Sequence, residues 1–535
     1  MITGISTLSS ATENVQKVET NRVAEIACDS KKTYKNPFLE VEVDAIITGP
    51  DAAQVRVPAF WAGGNRWIFR YASSVPGIYT WKLACSDTNN STLHGLTGKI
   101  ELVPYRGENV LYQHGPIRVA KDRRHFEHAD GTPFFWLGDT WWKNLCKRMT
   151  WEGFQELTAD RKAKGFNAVQ IVCGPYPDES MMETRWENEG GKPYEKIDFS
   201  VMNPKYFEFA DRRIKHLVDA GIVPVIVGGW GRPQGGGKST LMQVGLDGFK
   251  RHWRNLIARY GAYPTVWIVG GEAKDAYGPW SDLAKYLKET DPYHHPLTYH
   301  APEHPRQAIK DNAVFDFDMV AIGHDGFKTA AKTMELMKSC LATEPSRPVL
   351  CGEACYEGQM QTNFQDLQRH LFWSFMLSGA AGHTYGAIGI WHASVEGDPG
   401  MDPVRNLTTW KEGMNFPGAT QIGFGRKLLE KYPWSRFEPH PEWAPGCFAA
   451  GISGEVRFIY MPRGRIYDWS GPAVKNLESD VDWNVSYFDP VRGRIVEQFR
   501  IKASAKVGDK TAPPVEFLRD VPTPQDWVLV IEKVK

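Results

Sequence analysis

At 535 residues the chain exceeds one ordinary domain, and its length suits about three. Its 63 basic and 63 acidic residues cancel, and neither a basic stripe nor a block of like charge appears, so nucleic acid and membrane are poor partners. Aromatics reach 12% with 20 Trp, which fits either a cleft that stacks sugar rings or a large β-rich core.

Residues 1–20 are polar, and Met1 to Glu19 lacks the basic region and apolar stretch of a signal peptide. No run approaches the roughly 18 apolar residues of a membrane span. The expected location is cytoplasmic, with a trimmed secreted form as the alternative. From about 21 to 105 the text alternates with period two, as in Leu39-Glu40-Val41-Glu42-Val43 and Arg66-Trp67-Ile68-Phe69-Arg70-Tyr71. Turn signals such as Gly49-Pro50-Asp51 and Gly63-Gly64-Asn65 separate the runs, which reads as an immunoglobulin-like β-sandwich.

After a hairpin-like stretch around 117–131 the rhythm becomes strand, then helix. Expected strands lie at 134–137, 168–172, 223–227, 266–269, 296–299, 318–322, 349–351 and 379–384. Helical spacing of apolar residues falls between them at 151–164, 206–220, 246–260 and 364–377. Gly165 and Gly221 sit just past a helix and before a strand, where a left-handed cap belongs. Eight such units predict a (β/α)₈ barrel. From about 430 the alternation returns, as in Val456-Arg457-Phe458-Ile459-Tyr460 and Trp527-Val528-Leu529-Val530-Ile531. The fold class is therefore α/β: a β-sandwich over 1–106, a catalytic (β/α)₈ barrel over 107–430 and an all-β domain over 431–535. Eight scattered cysteines, Cys351 and Cys355 among them, match no zinc or redox spacing and read as free thiols.

Parallel barrel strands end on one face, so residues after each strand predict the site. Two short apolar runs, Thr265 to Gly271 and Pro348 to Gly352, break at glycine and end on Glu272 and Glu353. The other strand ends offer Asp139, Trp141 and Trp142, then Gln170, Trp230, His300 and His324. The last two add Tyr356, Glu357, His383, Tyr385 and Trp391. Acids, imidazoles and flat rings are what a sugar site requires. One carboxyl must stay protonated to serve the leaving oxygen, and the other must be ionised to attack or to activate water. Glu272 is assigned as general acid and Glu353 as nucleophile or base, with Glu357 a rival to Glu353. No metal or organic cofactor is expected, a carbohydrate is the expected partner, and a homo-oligomer is compatible with the sequence.

Two other classes compete. A dead barrel would bind carbohydrate without turnover, and His300, His324 and His383 could instead hold a hydrolytic metal. Against metal, strand 1 lacks His-x-His and strand 4 lacks a terminal lysine. Gly235-Gly236-Gly237-Lys238-Ser239 mimics a phosphate loop, but Arg232 stands where its first glycine should be. It reads as a loop after strand 3, over the site mouth. The sequons at Asn89, Asn90, Asn406 and Asn484 mean little without secretion.

Taken together, Trp136-Leu137-Gly138-Asp139-Thr140-Trp141-Trp142, Gly165-Phe166-Asn167-Ala168-Val169-Gln170, Trp267-Ile268-Val269-Gly270-Gly271-Glu272 and Tyr299-His300 run in a familiar order. Gly323-His324, Gly352-Glu353, Tyr356-Glu357, Gly382-His383-Thr384-Tyr385-Gly386 and Trp391 continue it. Over roughly 130–392 the chain resembles the apiosidase-like glycoside hydrolases, (β/α)₈ barrels acting on plant or microbial polysaccharide side chains. The resemblance implies acids at the ends of strands 4 and 7, here Glu272 and Glu353. It also implies a preceding β-sandwich, matched by Val57-Pro58-Ala59-Phe60-Trp61, and a small β domain after the barrel. The expectation is an exo-acting glycosidase.

Overall fold

The structure, a computed structural model, describes residues 15–534 apart from 178, 232–238, 302, 322, 354, 399–407, 463–472, 510 and 519. Eight parallel strands form its centre: β1 (Trp136–Thr140), β2 (Ala168–Val172), β3 (Val223–Val227), β4 (Val266–Gly271), β5 (Leu297–His300), β6 (Asp318–Ala321), β7 (Val349–Glu353) and β8 (Gly382–Tyr385). Hydrogen bonding runs β5-β4-β3-β2-β1-β8-β7-β6, and a parallel bridge between Ala301 and Val320 joins the two ends into a barrel. β2 and β3, rich in valine and isoleucine, are buried at every residue, as strands covered on both faces must be.

The principal helices of the outer ring are α1 (Trp151–Ala163), α2 (Pro204–Asp219), α3 (Leu246–Tyr260), α4 (Trp280–Thr290), α5 (Gly326–Leu341), α6 (Gln365–Met376) and α7 (Pro417–Leu429). Thr150 caps α1 by accepting from the Gly153 amide, and Asn203 caps α2 with Pro204 at the first helical position. Gly165 and Gly221 have the left-handed φ expected of them, 91° and 82°.

Two strands, the first and the last of the barrel, depart most from their expected bounds. Pro133–Phe134 belongs to a small antiparallel sheet with Ile117–Val119 and Phe126–His128, and β1 itself runs on to Thr140. The small sheet seats Phe126 against Trp136 (5.3 Å between rings) and Phe317 (5.1 Å), closing the end of the barrel where its strands begin. β8 starts at Gly382, because the chain leaves α6 through a turn in which Gly379 takes φ 98°.

On the N-terminal side, a five-stranded sheet and a three-stranded sheet bury Trp67, Phe69, Trp81, Leu83 and Ile100. On the C-terminal side lie a six-stranded antiparallel sheet and a two-stranded one. Alternation divides the six-stranded sheet: Phe458, Tyr460, Val528 and Val530 join the barrel core, while Ile459, Trp527, Leu529 and Ile531 pack on the other side. Arg369 of α6 clamps Asp526 with two charge-assisted bonds (2.8 and 2.6 Å), fixing that sheet to the barrel. All eight cysteines are free thiols, and no described helix is long and apolar enough to cross a membrane.

Candidate active site

Strand parity sorts the side chains at the mouth. Successive residues of a barrel strand face the interior and the helices in turn. On β2, Gln170 faces inward, and its Nε2 donates across the barrel to the Gly352 carbonyl (2.9 Å). On β7, Val349 and Cys351 pack outward with Met337 and Leu371, so plain alternation would send Glu353 outward too. A bulge prevents it: Cys351 pairs with Val320 but Glu353 with Ala321, leaving Gly352 as an extra residue. β4 does the same. Ile268 pairs with Thr298 and Gly271 with His300, one residue out of step, just before Glu272. Each of the two glutamates thus follows a glycine-containing bulge, and Glu272 itself takes a left-handed φ of 47°.

Glu353 is the centre of a dense cluster. His300 Nε2 lies 2.6 Å from Glu353 Oε2, and His324 Nε2 lies 3.2 Å from Oε1. The Tyr356 amide donates to His324 Nδ1 (3.2 Å), so the neutral ring carries its proton on Nε2, aimed at the carboxylate. Burial works to raise the pKa of Glu353, but His300 and His324 outweigh it and hold the carboxyl well below the usual carboxylate range. The Tyr356 hydroxyl also bonds Glu353; burial and that carboxylate push the phenol far above its ordinary value. Trp142 Nε1 in turn donates to the Tyr356 hydroxyl (2.7 Å).

Rings wall the cluster. Trp142 meets Trp230 edge-on at 5.2 Å and His300 at 5.5 Å; Trp230 lies 5.2 Å from His300, and Trp391 lies 6.1 Å from Tyr356. Glu272 is half-buried at the end of β4, next to the residue in register with His300. Lys274, a natural candidate to neutralise it, pairs with Glu303 (2.8 Å).

Of the residues expected at the mouth, Trp142, Gln170, Trp230, His300, His324, Glu353, Tyr356 and Trp391 come together, with Glu272 at the same end of the barrel. Five others stand behind the wall. Asp139, outward by parity, accepts from Arg161 Nε of α1 (2.6 Å), Trp141 Nε1 (2.8 Å) and the Thr140 amide (2.8 Å). Trp141 packs on Phe154 of α1. Glu357 accepts from the Tyr385 hydroxyl (2.6 Å) and from the Gly418 amide at the start of α7 (3.1 Å). Burial raises its pKa. Tyr385 also lies beneath the Arg161 guanidinium, and His383 is pressed on Phe372 and Phe375 of α6, where burial lowers its pKa to about 3. These five are nearly or wholly excluded from solvent and join β1, β7 and β8 to α1, α6 and α7.

Sequence reasoning passed over Arg161, the partner that consumes Asp139, and named Thr140 at the end of strand 1 without giving it a role, although it faces inward beside Gln170. Parity from Trp136 and Gly138 onward was the available signal for Thr140. The loop at 235–238 and the sequon at Asn406 lie outside the described residues. Among the described residues no group of three or more His, Cys, Asp or Glu is arranged to hold a metal ion.

A parallel barrel with acids, imidazoles and indoles at its C-terminal mouth is the frame of a glycoside hydrolase. The apiosidase-like catalytic domain matches residues 120–436, more than half of the chain, and the chain belongs to that family and is a glycosidase. A domain of unknown function, DUF5060, matches residues 17–86. A putative glycoside hydrolase from Bacteroides vulgatus ATCC 8482 shares 18% identity at a TM-score of 0.70, covering 97% of this chain and 100% of its own. A family 5 glycoside hydrolase from the same organism shares 20% identity at 0.64, covering 80% and 95%. At such identities the likeness is one of fold. No curated protein matches the chain.

Proposed function

We propose that the protein hydrolyses a terminal glycosidic bond of a plant or microbial oligosaccharide with two carboxylates. Glu272 gives its proton to the leaving oxygen as the bond to the anomeric carbon breaks. Glu353 either attacks that carbon or takes a proton from the water that does. One observation carries the assignment: Glu353 is held ionised by two imidazoles at a mouth walled with indoles. The rings of Trp142, Trp230 and Trp391 give the mouth apolar walls, and the histidines supply donors for a sugar's hydroxyls. A carboxyl that must act as an anion needs donors around it, and this one has them.

The test is a screen of the purified protein against plant and bacterial oligosaccharides, with products followed by NMR. Glu353→Gln and Glu272→Gln are each expected to fold normally and to lower kcat by about 10²–10⁴-fold. Wild-type turnover by either variant refutes the assignment. The anomer first released separates retention from inversion. Hydrolysis unaffected by a chelator is the expected result; loss with chelator and recovery with added metal would favour a metal-assisted route through His300 and His324.

A further inference from the structure

We infer that Trp230 is a positioning residue that ties the strand end bearing Glu272 to Glu353, acting through Gly271 on one side and His300 on the other. This rests on the two-carboxylate reading above, and it concerns how the two acids are kept in mutual geometry.

The backbone around Trp230 is stitched to β4. Gly231 N donates to the Gly271 carbonyl (2.6 Å), Gly271 N donates to the Gly229 carbonyl (3.0 Å), and Trp230 forms a parallel bridge with Gly271. The Trp230 indole lies directly on Gly271: a methyl group added there would stand 2.0 Å from an indole carbon. Gly270, one residue earlier and on the opposite face, is pressed in the same way by Trp280 of α4, at 2.4 Å. Glycine is needed at both places for close approach. The peptide leading into Glu272 is thus clamped between two indoles, which supports a non-glycine residue at φ 47°. On its other side the Trp230 ring meets His300, whose Nε2 touches Glu353. The path is Glu272, Gly271, Trp230, His300, Glu353, with every link a backbone bond or a packed contact. Trp230 is only 6% exposed, which suits a strut better than an open stacking platform.

Gly271→Ala should drive the indole toward His300, and Trp230→Leu should leave His300 held by Trp142 alone among the neighbouring indoles. Each loosens the imidazole on Glu353, whose other facing groups are His324 after β6, Tyr356 after β7 and Cys351 on its own strand. Misplacement on this scale lowers kcat by about 10- to 100-fold with a smaller change in KM. The acid limb of kcat/KM moves to higher pH, because a carboxylate that loses a donor regains its proton more easily.

The experiment compares Gly271→Ala, Trp230→Leu, the double variant and Trp230→Phe, all checked for folding by circular dichroism. If Gly271 acts through the indole, the double variant is no worse than Trp230→Leu, since leucine leaves room for the methyl. Trp230→Phe, which keeps a ring on His300, returns the acid limb toward wild type. A second readout needs no turnover: the ¹³C carboxyl titration of Glu353, assigned by its loss in Glu353→Gln, shifts upward in Trp230→Leu. Additive losses in the double variant, or an unmoved titration in folded Trp230→Leu, overturn the inference. A shifted titration in a protein that hydrolyses no glycoside would instead uphold the tie and defeat the catalytic reading.

Discussion

Glu353 and Glu357 stand four residues apart on one segment and inhabit opposite surroundings. Glu353 reaches the mouth and is ringed by donors that stabilise its charge. Glu357 lies behind the barrel wall, where burial favours its neutral form and its oxygens serve Tyr385 and the first turn of α7. The chemical group is the same, but the backbone between them differs. The bulge at Gly352 turns Glu353 inward at the end of β7, whereas beyond the strand Cys355 takes a left-handed φ of 47° and Glu357 pairs with Ala387 behind the wall. Position after a strand says that an acid can reach the mouth; parity and bulge say whether it does.

The sharpest break of this comparison is Glu353→Gln set beside Glu357→Gln. The first should abolish most turnover, and the second should keep kcat within about threefold, since a neutral amide replaces a carboxyl that burial already favours as neutral. Comparable losses in steady-state assays of the two variants would erase the distinction. Next in size is Arg161→Met, which leaves Asp139 buried without its cation and should destabilise by about 3–5 kcal/mol in denaturant unfolding. KM of the folded enzyme should not move, because Arg161 supports the wall and touches no substrate.

The pH dependence of stability separates the pair more finely. Glu353 has a folded pKa below its ordinary 4.5, so its contribution is present above pH 4.5 and is lost as the pH falls below that value. Glu357 has a folded pKa above 4.5, so the native state holds the extra proton and stability declines as the pH rises from 4.5 through that folded pKa. Glu353→Gln should therefore flatten the acid-side loss, and Glu357→Gln the loss on the other side, in unfolding curves taken across the range. The smallest expected effect is His383→Phe. It exchanges a neutral buried ring for an apolar one among phenylalanines, and should change stability by less than about 1.5 kcal/mol with activity unchanged.

Much of this architecture was readable in the residues. Valine-rich runs alternating with amphipathic helices gave the barrel, and the glycines before Glu272 and Glu353 marked the two strand ends. Individual strand faces were harder to read. Ending β1 at 137 placed Asp139 in a loop, free to point anywhere; carried on to Thr140, the same strand commits Asp139 to the helices. Its partner Arg161 lies on the following helix, and a contact of that kind leaves no periodic trace. Helix α7 was missed for a different reason. Gly418, Gly423 and Gly425 dilute its helical signal, yet Gly425 lets Phe372 of α6 approach to 2.4 Å of where a methyl would stand. Local propensity gave way to interhelical packing.

The ring of strands is stitched unevenly. Around most of its circumference neighbouring strands share ladders of two to five paired residues, but β5 and β6 meet through the Ala301–Val320 bridge. His300 and His324 stand on the two banks of that gap, both reaching for the same carboxylate. Breathing at the gap would part the two imidazoles while leaving the rest of the cylinder intact. Amide hydrogen exchange should be faster at Ala301 and Ala321 than in β2 or β3, and a crosslink spanning the gap should stiffen the grip on Glu353 without touching the sugar's path.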